Sequence, residues 1–183
     1  FTDATESLLG PLPFFRDQLC RSNVYWRARL QKQFEQFLYG HHGLAVADAN
    51  GDGLDDVYLC AGGGLPNRLL LQLPDGTVKD ASRELGLDYL DHTRAALFAD
   101  LDSDGDQDLV LAISQGILLL ENAGAKGFLQ KALLPRVTDC FSLAAADYDG
   151  NGTVDFYGCG YQSRDSDPSR VAWPIPFYDA RNG

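Results

Sequence analysis

The nine residues Asp100-Leu-Asp-Ser-Asp-Gly-Asp-Gln-Asp108 constrain the chain more than any other stretch. Asp100, Asp102, Asp104 and Asp108 stand at positions 1, 3, 5 and 9, and their carboxylates repel one another unless a cation lies among them. Gly105, at position 6, permits the sharp turn that wraps such a loop around a hard cation, which takes about six to eight oxygens at about 2.3–2.6 Å. The backbone carbonyl of Asp106 at position 7 supplies a further oxygen. The pattern recurs twice: Asp48, Asn50, Asp52 and Asp56 around Gly53, with the Leu54 carbonyl, and Asp147, Asp149, Asn151 and Asp155 around Gly152, with the Thr153 carbonyl. One match reads as a solvated Asp/Gly turn. Three matches to a five-position pattern predict about three Ca²⁺, one per loop.

An EF-hand closes with Glu at position 12. The residues there are Leu59, Leu111 and Gly158, so that reading fails. The loops start at residues 48, 100 and 147, and a repeat of that length belongs to propeller blades or solenoid units. Each loop has a short apolar run before it (43–47, 95–99, 142–146) and another after it (57–60, 109–112, 156–159), bounded by turns as buried strands are. Arg68–Gln72 and Ile117–Glu121 follow, then the segments beginning at Val78 and Phe128. The unit reads strand, metal-binding hairpin, strand, strand, strand: one four-stranded blade. Small residues in the first strand of each unit suit crowding near a propeller axis.

Phe1-Thr-Asp-Ala-Thr echoes Val78-Lys-Asp-Ala-Ser, which predicts that residues 1–10 form the last strand of a preceding blade. Residues 11–40 then read as a helical insertion, 41–91 and 92–138 as blades, and 139–183 as an incomplete blade. Within the insertion Ser22 is placed to cap a helix over 23–39, whose apolar stripe is Trp26, Leu30, Phe34 and Leu38, with Gly40 as its stop. Arg27, Arg29 and Lys32 lie off that stripe. This predicts a helix packed on the blade edges, with partner docking as the alternative. His41 and His42 read as loop residues. The Gly62–Arg68 connection lacks the Lys-Ser/Thr of a phosphate loop. Residues 162–176 read as an irregular insertion, with Trp173 and Phe177 covering a core edge or meeting a partner.

The 183 residues carry 26 acids against 15 bases, a formal charge of −11. The loops account for much of that excess, and three Ca²⁺ would reduce it to roughly −5. Nucleic acid, which needs a basic face, is excluded as a partner. No apolar run approaches the ~20 residues of a membrane span. The chain has no Met and begins at Phe1, which suits a processed or partial chain. Cys20, Cys60, Cys140 and Cys159 allow two disulfides in three pairings, or four buried thiols.

The loops, their flanks, Leu65-Pro-Asn-Arg-Leu69 and Phe1-Thr-Asp-Ala-Thr together resemble the FG-GAP/VCBS-type repeats of the ASPIC/UnbV and cartilage-acidic-protein group, within the integrin-α-like propeller class. The resemblance implies an all-β propeller of about seven blades in the complete protein, of which this chain is a part. It also implies calcium at the first hairpin of each blade and an extracellular, periplasmic or cell-envelope location. It carries the metal role to the twelve Asp and Asn side chains named above.

The expected function is that of a non-catalytic calcium-binding module for protein binding, adhesion or scaffolding. The open blade edges are to be closed by further blades of the same polypeptide or by a neighbouring subunit. Two alternatives stand beside it. One is a carbohydrate-active propeller, a lectin or polysaccharide lyase, which would need aromatic platforms, with Trp26, Trp173 and Tyr161 as the candidates for glycan contact. The other is a structural subunit of a large envelope assembly.

Overall fold

A computed structural model describes residues 2–29, 42–135 and 140–160. Ten strands run in chain order: β1 (Leu44–Ala47), β2 (Asp56–Leu59), β3 (Arg68–Gln72), β4 (Val78–Asp80), β5 (Thr93–Ala99), β6 (Asp108–Ile113), β7 (Gly116–Asn122), β8 (Phe128–Leu134), β9 (Cys140–Ala146) and β10 (Asp155–Gly160). They form two four-stranded sheets, ordered β1-β2-β3-β4 and β5-β6-β7-β8, and the pair β9-β10. All ladders are antiparallel and sequential, the meander expected of propeller blades.

The middle sheet is covered on both faces, and its sequence says why. β6 reads Asp-Leu-Val-Leu-Ala-Ile with every residue buried, a continuous apolar run rather than an alternating one. Successive side chains point to opposite faces. Leu109, Leu111 and Ile113 join Leu118, Leu120 and Phe128 in a core shared with Tyr58, Leu69 and Leu71 of the first sheet. Val110, Ala112 and Ile117 face the other way, onto Cys140, Leu143 and Phe156 of the third unit. Each fully buried Leu contributes about 1.5–3 kcal/mol. The Tyr58 hydroxyl, inside the first core, donates to the Leu87 carbonyl at 3.1 Å, and burial pushes its pKa well up.

Strand β5 lies beside both β1 and β9. A Cβ on Gly43, just before β1, would sit 2.9 Å from the Ala95 Cα and the Arg94 carbonyl oxygen. That approach leaves no room for a side chain at Gly43, where β1 meets β5. Asn67 of the Pro-Asn-Arg-Leu stretch is fully buried and ties the sheets together. Its Oδ1 accepts the Ala61 N–H at 2.7 Å, and its Nδ2 donates to Thr93 Oγ1 at 2.8 Å.

Residues 1–10 are expected to be the last strand of a preceding blade, and five of them are helical instead. Residues 2–4 pair with no strand among the described residues, and Thr5–Leu9 is a short helix. The echo of residues 78–85 survives in the backbone: Asp3 Oδ1 accepts the Thr5 N–H at 2.9 Å, as Asp80 Oδ1 accepts the Ser82 N–H at 3.1 Å. A turn follows that cap in both segments, and β3 makes a strand of Val78–Asp80.

The described part of the insertion, residues 11–29, is helical in short turns. Phe15–Leu19 is a π-turn that buries Phe15 and Gln18, and Asn23–Arg27 is a helix capped by Ser22, whose Oγ accepts the Tyr25 N–H at 3.3 Å. The stripe beyond Trp26 lies outside the described residues. What docks onto the first sheet is the stretch before that stripe. Gln18 Nε2 donates to the Pro66 carbonyl at 2.8 Å, and its Oε1 accepts from Arg68, whose guanidinium lies over Phe14 and pairs with Asp80. His42 is exposed and makes an edge contact with His92. His41, Tyr161, the 162–176 stretch, Trp173 and Phe177 lie outside the described residues. No disulfide joins the cysteines: Cys60 and Cys140 are buried thiols, Cys20 and Cys159 exposed ones.

Candidate metal centres

Each acidic loop connects the first two strands of its unit, so β-pairing holds both ends of the hairpin. Inside the hairpin the chain is turned by two residues of positive φ. At position 6 these are Gly53 (84°), Gly105 (98°) and Gly152 (87°). At position 4 they are Gly51 (75°), Ser103 (64°) and Gly150 (71°), a requirement that the ligand pattern does not express. Ser103 is the single non-glycine residue with positive φ among the described residues.

The carboxylates themselves fold the loop. Asp48 accepts the N–H groups of Gly51, Asp52 and Gly53 at 2.8–3.0 Å. Asp100 does the same for Asp104 and Gly105 at 3.1 and 3.0 Å, and Asp147 for Asn151 and Gly152 at 3.1 and 2.9 Å. Position 5 accepts the N–H of position 7: Asp52 from Leu54, Asp104 from Asp106, Asn151 from Thr153. Those bonds turn the first-position carboxylate toward the loop centre. Asp48, held chiefly by the Gly53 N–H, has its pKa lowered.

Position 9 is buried in the first two loops. Asp56 and Asp108 are 0% and 1% exposed. One oxygen of Asp56 accepts the Ala49 N–H and the other the Gln72 N–H, both at 2.9 Å. Asp108 holds Leu101 and Asn122 in the same way, both at 2.8 Å. Asp155 accepts the Tyr148 N–H at 3.0 Å. A carboxylate has about four lone-pair sites, so a staple of this kind keeps acceptors for a cation.

Two of the three sets close on a common centre. Oxygens of Asp100, Asp102 and Asp108 lie within 4.8 Å of one another, as do those of Asp147, Asp149 and Asp155. In the first loop Asn50 Nδ2 donates to Asp52 Oδ2 at 3.0 Å, and its Oδ1 accepts the Asp52 N–H at 3.0 Å. Hard oxygen donors gathered at a turn fit Ca²⁺ or Mg²⁺ rather than a softer metal. The crowding shows in the acid strengths. Burial, then the Asp104 charge, raises the pKa of Asp102. The same causes push Asp106 up to about 6. Asp56 is raised by burial.

The role of Asn122 is absent from any reading of the ligand pattern. It stands at the end of β7 with its amide bonded to the loop. Its sequence signal is only an Asn at the close of an apolar strand.

Sequential four-stranded antiparallel sheets, each opening with an acidic hairpin, define a β-propeller-type repeat protein. A family model described as FG-GAP-like repeat matches residues 48–111 and again 100–158, together more than half of the chain. Each match starts on the first Asp of a loop and runs into the strand after the next loop. The chain belongs to the FG-GAP-like repeat family. No curated protein matches it. Among the described residues no helix is long and apolar enough to cross a membrane.

Proposed function

We propose that the chain is a non-catalytic calcium-binding section of a β-propeller, serving as a rigid surface for a protein partner or a neighbouring subunit at the cell surface or envelope. The observation that carries this reading is the convergence of Asp100, Asp102 and Asp108, repeated by Asp147, Asp149 and Asp155. The residues that would hold Ca²⁺ are Asp48, Asn50, Asp52 and Asp56 with the Leu54 carbonyl, then Asp100, Asp102, Asp104 and Asp108 with that of Asp106, then Asp147, Asp149, Asn151 and Asp155 with that of Thr153. The ion supplies positive charge that cancels carboxylate repulsion and fixes the hairpins. Five of the six clustered acids, Asp100, Asp108, Asp147, Asp149 and Asp155, accept backbone N–H groups of their own loops, which supports a binding role over catalysis. The narrower likeness to the ASPIC/UnbV group supports the same location and scaffold role.

Calorimetric titration of chelator-treated protein with Ca²⁺ tests the reading. About three ions per chain are expected, with little heat from Mg²⁺, which demands a stricter geometry. A chain that takes up no Ca²⁺ at millimolar concentration overturns it.

A further inference from the structure

Asn122 is buried, 8% exposed, between two acidic loops that belong to different sheets. Its side-chain Nδ2 donates to the Gln107 carbonyl of its own loop at 3.2 Å and to the Ala49 carbonyl of the preceding sheet's loop at 3.0 Å. Its Oδ1 accepts the Gly124 N–H at 3.1 Å. Two carbonyls on one side and an N–H on the other fix the orientation of the amide.

The bonded peptides matter because of what flanks them. Ala49 lies between Asp48 and Asn50, and Gln107 between the Asp106 carbonyl and Asp108. The Ala49 N–H goes to Asp56, and the Asn122 N–H to Asp108. An unbroken chain of hydrogen bonds therefore runs from Asp56 through Ala49 and Asn122 to Asp108 and Leu101. It bridges a cleft of about 460 Å³ that both loops border. Gln72 has the matching backbone bond in the first sheet, but its side chain is exposed.

We propose that Asn122 is a positioning residue that couples the first two loops, so that Ca²⁺ in either raises the affinity of the other. The proposal rests on the calcium reading above. An ion orders the loop around it, and ordering either loop fixes one end of the shared Asn122 amide. The second ion then meets a loop with less freedom left to lose, which gives positive coupling without a large movement. The effect must be equal in both directions.

The test is calorimetric titration with Ca²⁺ of the full chain carrying Asp149→Ala, which disables the third loop. Asp52→Ala or Asp104→Ala, added singly, then leaves one loop at a time. With both loops present, the product of the two binding constants should exceed the product of the single-loop constants about fivefold, the low end for coupled sites. Asn122→Ala should bring that ratio to about one while both loops still bind. If that variant does not fold, Asn122→Ser, which cannot span both carbonyls, takes its place. A ratio of one in the Asn122 chain overturns the coupling alone, as does a ratio unchanged by Asn122→Ala. Failure of either loop to bind Ca²⁺ in the parental chain overturns the calcium reading, and the coupling with it.

Discussion

The second sheet and the hairpin β9–β10 carry the same nine-residue pattern in different surroundings. In both, the first Asp accepts the N–H groups of positions 5 and 6, and the last accepts that of position 2. There the likeness ends. Asp108 is 1% exposed and also holds Asn122 from the third strand, while Asp155 is only partly buried. Tyr148, at position 2, is 62% exposed. Its counterpart Leu101 packs against the second core. The loop's shape is thus a local property of nine residues. The burial of its last carboxylate is supplied by a strand from later in the chain and by the adjoining sheet.

Calcium should sharpen this contrast most. At about 1 mM Ca²⁺ a site with Kd near 10 µM adds roughly 2.7 kcal/mol. Three such sites, about 8 kcal/mol together, should raise the melting temperature by roughly 15–30 °C. Amide exchange should show the larger gain at residues 140–160, whose loop lacks a second buried staple among the described residues. An unchanged melting temperature in EGTA counts against the proposed function, and equal protection of both regions breaks the comparison. The loops should also rank by charge. Asp104→Ala should weaken binding more than Asn50→Ala, because the second loop has four carboxylates where the first has three and an amide.

Next in size is the staple itself. Asp108→Ala strands the buried N–H of Asn122 and the part-buried N–H of Leu101, at a cost of about 2–5 kcal/mol in chelator. Asp155→Ala should cost far less, because water reaches its loop. Urea denaturation of the two variants gives the difference directly, and equal losses would show that burial of position 9 is irrelevant.

The second sheet has a further hold that depends on one glycine. Gly127, before β8, has φ of 76°, and a Cβ there would lie 2.7 Å from the carbonyl oxygen of Leu85, in the turn that follows the first sheet. Phe128 N–H donates to that same oxygen at 2.9 Å. Gly127→Ala should cost about 1–3 kcal/mol. Gly76→Ala, at φ of 79° with open space around it, should cost less. Comparable midpoints for the two would mean that the sheets are not held together at this point.

Much of this was legible in the sequence, for identifiable reasons. Ligand spacing and glycine placement are local, so three hairpins could be read from 48–56, 100–108 and 147–155. The continuous apolar run of β6 announced burial on both faces. The helix at Thr5–Leu9 was not legible because a strand is defined by its partner: Asp3 and Asp80 make the same cap, and among the described residues Val78–Asp80 pairs with β3 while residues 2–4 pair with no strand. The bonding roles of Asn67, legible only as part of Leu65-Pro-Asn-Arg-Leu69, and of Asn122 were not legible because their bonds between sheets span 26 and 73 residues, a separation that no local pattern encodes. The thiols differ for the same reason. Burial, which no spacing of cysteines reveals, pushes Cys60 up to about 12.

The smallest effect is expected at position 4, where the loops should be interchangeable. Gly51 and Gly150 take positive φ without a Cβ to crowd the backbone, whereas Ser103 takes φ of 64° with one. A left-handed conformation costs an L-residue roughly 1–2 kcal/mol, and glycine gives back about 0.5–1 kcal/mol through the freedom of its unfolded chain. Ser103→Gly should therefore stabilise the protein by about 0.5 kcal/mol, and Gly150→Ser should destabilise it by a similar amount. Urea midpoints in chelator, where no ion imposes the turn, give both values. If Ser103→Gly instead lowers stability, the serine side chain contributes to the second loop beyond its backbone shape, and the two loops are not the same local structure.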